Sequence, residues 1–148
     1  MRFDQHATLH TRRGSLTLQL HTARHLWRRF SGLMGRRALA TAPIPQGLLI
    51  TRCPSVHGFF LRQTLDIVYV ADDHRSRTAE NPGGNNHRAY VVTHTAILKP
   101  WRVSLGKRWL HIHQQGSHWL HSAHALELPE GSVKAMGINP GDRLEIRP

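Results

Sequence analysis

The sequence predicts a mainly β fold, a compact barrel-like or sandwich-like single domain with two short helical segments. Many short apolar segments, several of them β-branched or alternating with polar residues, are separated by turn-forming residues. Only two stretches have the pattern of a helix, so long helices do not alternate with strands as in an α/β layer fold. The chain has 148 residues, a length that suits one domain with an adequate core.

The first two predicted segments are an arm and a strand. Residues 1–13 are polar and basic and are expected to form a flexible N-terminal arm, followed by one domain over residues 14–148. Apolar and polar residues alternate over Ser15–Leu20, which indicates a half-buried strand. The side chains expected to face the core are Leu16, Leu18 and Leu20.

A basic helix is predicted next. Thr22 is a candidate cap for a helix over residues 24–37, and Gly35 is a candidate C-terminal stop. Apolar residues recur in this segment at three- and four-residue steps, which gives the helix one apolar stripe. The stripe consists of Leu26, Phe30, Leu33 and Met34.

The middle of the chain predicts three strands and one loop. Leu48–Ile50 reads as a short strand, Ile67–Val70 as a buried strand, and Tyr90–Leu98 as a longer strand. Residues 72–88 are polar and rich in turn residues, with too little apolar surface to offset the entropy of ordering. This segment is therefore expected to be a mobile loop.

The C-terminal part predicts short elements joined by turns. Lys99–Arg102 is a break that carries the large aromatic Trp101. Asn139–Asp142 is a strong turn signal. The predicted elements are strands at Trp109–His113 and Ala125–Leu128, a short helix that opens at Gly131–Ser132 and ends at Gly137, and a last strand with Leu144 and Ile146.

The central stretch Val56–Val70 holds the main candidate site. It combines His57, Arg62 and Asp66 with an apolar strand, and a carboxylate within such a run needs a partner. That partner is expected to be an arginine, a main-chain amide or a ligand. An indole beside guanidinium groups suits a small carboxylate or phosphate ligand with an apolar part. The residues assigned to this ligand site are His57, Arg62, Asp66, Trp101 and Arg102.

Two other interpretations of these charges remain open. In the first, Arg62 or Arg102 forms a structural ion pair with Asp66 or Glu127. In the second, the net charge of +11 attracts nucleic acid without sequence preference, with Trp27 stacking on a base. The alternative to nucleic-acid binding is that the arginines lie on a helix face in contact with solvent. The arginines proposed for phosphate contacts are Arg28, Arg29, Arg36 and Arg37.

The sequence does not supply a metal-site or catalytic motif. Cys53 and His57 lack further local ligands, and Cys53 is expected to be a small buried apolar residue; a nucleophilic pair with His57, oriented by Asp66, is the alternative. The histidine-rich segment is expected to be solvated rather than to bind metal. Its members are His111, His113, His118, His121 and His124. We therefore expect no metal and no cofactor.

The function predicted from these observations is a non-catalytic small-ligand-binding or accessory module. No paired carboxylates, nucleophile elbow or phosphate loop is present, although an enzyme remains a third alternative. A single cysteine excludes an internal disulfide, and neither a signal peptide nor a membrane-spanning segment is apparent. A soluble cytoplasmic protein without membrane insertion is expected, with no prediction of its oligomeric state.

Several motifs follow one another along the chain: Arg29–Met34, Val56–Arg62 with Leu65–Tyr69, Pro100–Arg102, Leu126–Gly131 and Pro140–Asp142. In this order they together resemble a widespread prokaryotic family, domain of unknown function 192. The resemblance implies a small, mostly β domain with short helices and no established activity. The family usually has Thr at the position of Gly58, Met at that of Leu61 and Pro at that of Thr64.

Overall fold

Nine β-strands and one short helix make up the described part of the chain. The computed structural model describes Phe3 and residues 5–23, 39–41, 43–73, 88–106 and 123–147. The strands are β1 (Gln5–Thr11), β2 (Gly14–Ala23), β3 (Gln46–Ile50), β4 (Ser55–His57), β5 (Leu65–Asp72), β6 (Arg88–Leu98), β7 (Val103–Leu105), β8 (Ala123–Pro129) and β9 (Arg143–Arg147). The helix, α1, is Ser132–Met136.

Seven of these strands close into a barrel, and the other two form a small separate sheet. The order around the barrel is β1-β2-β3-β8-β5-β6-β9, and β9 pairs back onto β1. Only β2 and β3 run parallel; the other barrel neighbours are antiparallel. The predicted mainly β fold is confirmed, in its barrel form. Of the two predicted helices, α1 is confirmed, whereas the segment 24–37 lies outside the described residues.

The predicted flexible arm is wrong for Gln5–Thr11, because these residues form β1. This strand pairs with β2 on one side and β9 on the other. Ala7 and Leu9 point into the barrel and are fully buried between polar neighbours. Two apolar residues among His, Thr and Gln are a weak sequence signal for a strand. The hydrogen bonds to β2 and β9 order this segment, and composition alone does not predict them.

Three further details depart from the sequence predictions or lie beyond the described ranges. Leu16 is exposed near the β1–β2 turn, whereas Leu18 and Leu20 are buried as predicted. Thr22 lies in β2 and donates a hydrogen bond to Gln5, so it does not cap a helix. Most of the predicted mobile loop, residues 74–87, lies outside the described residues, as does the predicted strand at 109–113.

Two hydrophobic clusters lie on opposite faces of the barrel wall, because successive side chains of a strand point in opposite directions. The interior cluster fills the barrel and contains Ala7, Leu9, Leu18, Leu20, Leu49, Val68, Val70, Tyr90, Val92, Leu126, Leu128, Met136, Ile138, Leu144 and Ile146. The outer cluster contains Ala23, Leu39, Leu48, Ile50, Val56, Leu61, Leu65, Ile67, Tyr69, Leu98 and Ala125.

Asp66 fastens α1 to the barrel. It alternates with the outward residues of β5 and so lies on the same face as the inward residue Val68. Its buried carboxylate accepts a hydrogen bond of 2.8 Å from the main-chain N–H of Val133. Gly131, at the start of α1, has a left-handed backbone, and no side-chain cap forms there. Asp66 therefore supplies from β5 the hydrogen-bond acceptor that a capping side chain usually provides. The bond lies at the N-terminal end of α1, where the helix dipole favours a negative charge.

We predict that Asp66→Ala lowers the free energy of unfolding by about 2 kcal/mol, because it leaves the partly buried Val133 N–H without its charged acceptor. Asp66→Asn keeps an acceptor oxygen and is expected to cost less. The matched control is Glu130→Ala, which removes an exposed carboxylate nearby. Urea denaturation measures all three. A loss for Asp66→Ala no larger than for Glu130→Ala would contradict the role assigned to Asp66.

Candidate functional site

Strands β4 and β7 form a two-stranded antiparallel ribbon that covers the outer cluster. Val56 pairs with Ser104 at the middle of the ribbon, and both side chains are buried. The hydroxyl of Tyr69, on β5, donates a hydrogen bond of 3.0 Å to Ser104 Oγ and is also hydrogen-bonded to the main chain of Val56. One phenol thus holds both strands of the ribbon against the barrel. Burial raises the pKa of Tyr69 to about 12, so the phenol keeps its proton at neutral pH.

Two turns at the end of the ribbon interlock through their main chains. The Gly58 N–H donates to the Arg102 carbonyl at 2.6 Å, and the Trp101 N–H donates to the Gly58 carbonyl at 2.8 Å. A Cβ atom at Gly58 would lie 2.4 Å from the Lys99 carbonyl oxygen, closer than packed atoms come. The glycine therefore permits this close approach, which a residue with a Cβ atom would prevent.

The interlocked turns present three aromatic side chains to solvent. Phe59 is 43% exposed, and Phe60 and Trp101 are each 61% exposed. The Trp101 ring centroid lies 5.1 Å from that of Phe60 and 6.2 Å from that of Phe59. Phe60 and Trp101 have φ angles of 59° and 62°, a left-handed conformation that is uncommon for bulky residues. Such backbone strain persists where surrounding contacts hold it, and it concentrates at binding sites.

Four of the five predicted site residues lie on the ribbon or beside it. His57 is half-buried at the end of β4, and its ring centroid is 5.2 Å from that of Phe59. Arg62 follows the first turn, Trp101 and Arg102 belong to the second, and all three are exposed. Asp66 does not join them, because it lies on the inward face of β5 and binds Val133.

The structural ion pairs predicted as an alternative are not formed. Among the described residues, neither Arg62 nor Arg102 forms an ion pair with Asp66 or Glu127. Both arginines are exposed.

We call the exposed apolar and basic side chains of this region the aromatic–cationic face. Seven large hydrophobic residues are exposed in the described part of the chain, and five of them lie on the ribbon and its turns. Residues 51–65 and 95–106, which include the ribbon and its turns, contain no Asp or Glu. The face consists of Phe59, Phe60, Trp101, Val103 and Leu105 with Arg62, Lys99 and Arg102.

The sequence left open a nucleophilic pair of Cys53 and His57 that Asp66 would orient. Cys53 is half-buried, packs against the outer cluster, and donates its thiol hydrogen to the Ser55 carbonyl at 2.9 Å. Asp66 lies on the opposite face of β5 and so does not orient His57. Within the described ranges, no three His, Cys, Asp or Glu side chains form a group that could hold a metal. The expected absence of a bound metal stays a prediction.

His124 is the described member of the histidine-rich segment, and it is buried rather than solvated. Its Nδ1 accepts a hydrogen bond from the Arg52 N–H at 3.1 Å, and its Nε2 lies 3.3 Å from a carboxylate oxygen of Asp72. Burial lowers the pKa of His124, although Asp72 opposes this effect. The other four histidines, and the arginines proposed for phosphate contacts, lie outside the described residues.

From the sequence, Glu127 was expected only as an ion-pair partner of Arg62 or Arg102. It lies on β8 between Leu48 of β3 and Ile67 of β5, and only 4% of its surface is exposed. Its Oε2 atom is buried and has no hydrogen-bond partner among the described residues. Burial raises the pKa of Glu127 to about 7, so the carboxyl group takes up a proton near neutral pH. A single Glu within an apolar strand was the available sequence signal.

Comparison with known proteins identifies the family to which the chain belongs. Residues 8–146 match the family described as "Uncharacterized ACR", which is domain of unknown function 192. The chain belongs to this family. The resemblance seen in the sequence motifs is thereby confirmed, and this family description names no activity.

Two relatives agree with this assignment. A UPF0127 protein of Pyrococcus furiosus is 28% identical over 142 residues, covering 91% of this chain and 92% of the relative. A crystal structure of a protein of unknown function from Novosphingobium aromaticivorans has a TM-score of 0.66 and 20% identity, covering 94% of this chain and 82% of the other. The second likeness shows the fold alone. In the part of the chain that the structure describes, no helix is long and apolar enough to cross a membrane.

We predict that Glu127→Gln removes a pH-dependent loss of stability. The folded chain binds the Glu127 proton more tightly than the unfolded chain, because the pKa rises on folding from 4.5 to about 7. The unfolded state therefore holds fewer protons in this window, and the free energy of unfolding falls as pH rises through it. Relative to the variant, wild type should lose about 3 kcal/mol between pH 4.5 and 8.

The difference between the two stability curves isolates Glu127 from His124, whose lowered pKa gives the opposite slope below pH 6.5. Glu130→Gln, at an exposed carboxylate, is the matched control. Denaturant titrations from pH 4.5 to 8 provide the curves. A flat difference between wild type and Glu127→Gln would show that Glu127 ionises normally.

We predict that Tyr69 and Ser104 are energetically coupled. A double-mutant cycle of Tyr69→Phe, Ser104→Ala and the combined variant should give a coupling energy of about 1 kcal/mol, the usual net value of one buried hydrogen bond. Thermal or urea unfolding measures each corner of the cycle. Strictly additive losses would mean that the hydroxyl does not fasten the ribbon.

Proposed function

We propose that this protein is a non-catalytic accessory module that binds anionic partners through the aromatic–cationic face. The observation that carries the proposal is the composition of that face. Five apolar and three basic side chains are exposed on two interlocked turns and the ribbon, without an acidic residue in these segments. His57, Arg62, Trp101 and Arg102 are the predicted site residues that we retain. Asp66 is assigned to fastening α1 instead.

The exposed aromatic side chains support a binding role. Large apolar groups gathered at one place on a surface mark interaction sites, because leaving them in water carries a free-energy cost that a partner removes. Phe60 and Trp101 are held outward by strained backbones rather than folded onto the barrel. The chain thus keeps these rings in contact with solvent despite two apolar clusters nearby.

The basic side chains indicate the charge of the partner. Arg62 and Arg102 are exposed and form no ion pair within the described part of the chain. A guanidinium group binds carboxylate or phosphate oxygens through parallel hydrogen bonds. An anion that also carries an apolar part can contact a guanidinium group and an aromatic ring together.

The arrangement favours binding over catalysis. General acid–base or nucleophilic catalysis needs paired groups within hydrogen-bond reach of each other and of a substrate. On this face His57 stands beside a phenylalanine ring, and Cys53 donates to a main-chain carbonyl. Neither contact prepares a nucleophile or a base.

Sequence-independent binding of nucleic acid is the second candidate. The net charge of +11 and the exposed Trp101 favour it, since bases stack on aromatic rings and phosphates attract arginine. Titrations with oligothymidylate and with an oligonucleotide of unrelated sequence test this candidate. We expect the two affinities to be similar and to fall steeply as salt rises.

The proposal is tested with phenyl phosphate, which joins an anionic group to an aromatic ring. Two-dimensional amide NMR should show shifts at Phe59–Arg62 and Lys99–Arg102, larger than those caused by phenol or inorganic phosphate. Trp101→Asn, which tolerates the left-handed backbone, should weaken binding about tenfold through the lost ring contact. Leu16→Asn, at an exposed apolar residue elsewhere, is the matched control. Shifts confined to other regions, or none, would refute the proposal.

A further inference from the structure

We propose that the anionic partner of the aromatic–cationic face is the surface of a phospholipid bilayer that contains acidic headgroups. The inference rests on the proposed function and names the partner of the same face. It concerns peripheral contact, in which side chains enter the headgroup region and the barrel stays outside the bilayer.

The exposure of the face favours an extended surface over an enclosed ligand. A pocket for a small molecule buries most of the ligand and is lined by side chains that are themselves largely covered. Phe59, Phe60 and Trp101 expose between 43% and 61% of their surface. Such rings can bury their area only against a partner that comes to them from outside.

The residue types match the interfacial zone of a bilayer. Tryptophan and other amphipathic aromatic side chains concentrate at the level of the lipid headgroups. Val103 and Leu105 add aliphatic surface on the outward side of β7, on either side of the buried Ser104. Together the five apolar side chains provide both rings and aliphatic groups for shallow insertion.

The charges complement an acidic leaflet. Arg62, Lys99 and Arg102 are exposed beside the rings, and their long side chains can reach phosphate and carboxylate groups while their methylene stems lie along apolar surface. The absence of Asp and Glu from residues 51–65 and 95–106 removes local repulsion. The chain's net charge of +11 adds attraction at longer range.

The local frame is rigid enough to deliver these side chains together. The Gly58–Arg102 and Trp101–Gly58 hydrogen bonds fix one turn to the other. Tyr69 fixes the ribbon behind them to the barrel. Shallow insertion of prearranged rings loses less conformational entropy than ordering a flexible segment would.

A second copy of this chain or a folded acidic protein fits the face less well. Symmetric pairing of two copies would place the arginines and lysines of one face against those of the other. A stable protein interface uses about 20–30 residues on each side, and this face has eight, five apolar and three basic. Contact with a bilayer does not need so many residues, because mobile headgroups and acyl chains rearrange around each inserted side chain.

The test is sedimentation of the full chain with vesicles of phosphatidylcholine alone or with about 30 mol% phosphatidylserine. We expect binding to the mixed vesicles that is at least about tenfold tighter than to neutral vesicles and that weakens at high salt. Phe60→Asn combined with Trp101→Asn should lower the affinity for mixed vesicles about tenfold, since asparagine tolerates the left-handed backbone.

Arg62→Glu combined with Arg102→Glu should lower that affinity by a similar or larger factor. The matched control, Lys134→Glu combined with Arg147→Glu, has the same net charge but changes exposed residues of α1 and β9. It should reduce binding much less. Melting temperatures close to wild type would show that every variant is folded.

The outcomes separate this inference from the proposed function. Phenyl phosphate shifts on the face without vesicle binding would overturn the bilayer and leave the proposed function standing. Vesicle binding that the control variant loses as strongly as the face variants would show that net charge rather than the face binds the bilayer, and would overturn the inference. Tighter face-dependent binding of oligothymidylate or polyglutamate than of vesicles would assign the face to nucleic acid or to an acidic polypeptide instead. Absence of binding to every probe would overturn both proposals.

Discussion

The fold depends on the two-sided burial of β5. One face of this strand points into the barrel and carries Val68 and Val70, together with the carboxylate that holds α1. The other face carries Leu65, Ile67 and Tyr69, which support the outer cluster and the ribbon. A single strand thereby joins the barrel, its helix and its outer cover. A slip of one residue in its register would exchange the two sets of side chains, so this register must be strongly specified.

Much of the fold could be predicted from the sequence, because several elements carry strong local signals. The β-branched run at Ile67–Val70 and the long strand at Tyr90–Leu98 form β5 and β6, and the glycines around Ser132–Met136 bound α1. β1 was missed because its two inward residues are too few to mark a strand by composition. The pairing of β4 with β7 is non-local, and strands of three residues leave no pattern from which such pairing can be predicted.

The candidate site could be predicted only in part, for a related reason. Sequence proximity grouped Asp66 with His57 and Arg62, whereas the period of two along β5 sends Asp66 to the inner face. The inward direction of the Asp66 side chain follows from the alternation along β5, because Leu65, Ile67 and Tyr69 point outward. The exposure of Phe59 and Phe60 was not predicted from the sequence, and both lie on a turn where a left-handed residue reverses the direction of the chain. The partner of Trp101 across the two turns requires three-dimensional information.

The aromatic–cationic face is separate from both hydrophobic clusters. None of its eight side chains belongs to the interior cluster or to the outer one, whose members hold the barrel and the ribbon together. Natural selection can therefore change the residues on these turns with little penalty to folding, as long as Gly58 keeps the turns close and Tyr69 keeps the ribbon in place. The same barrel can in this way accommodate different side chains on these turns without a change in its core.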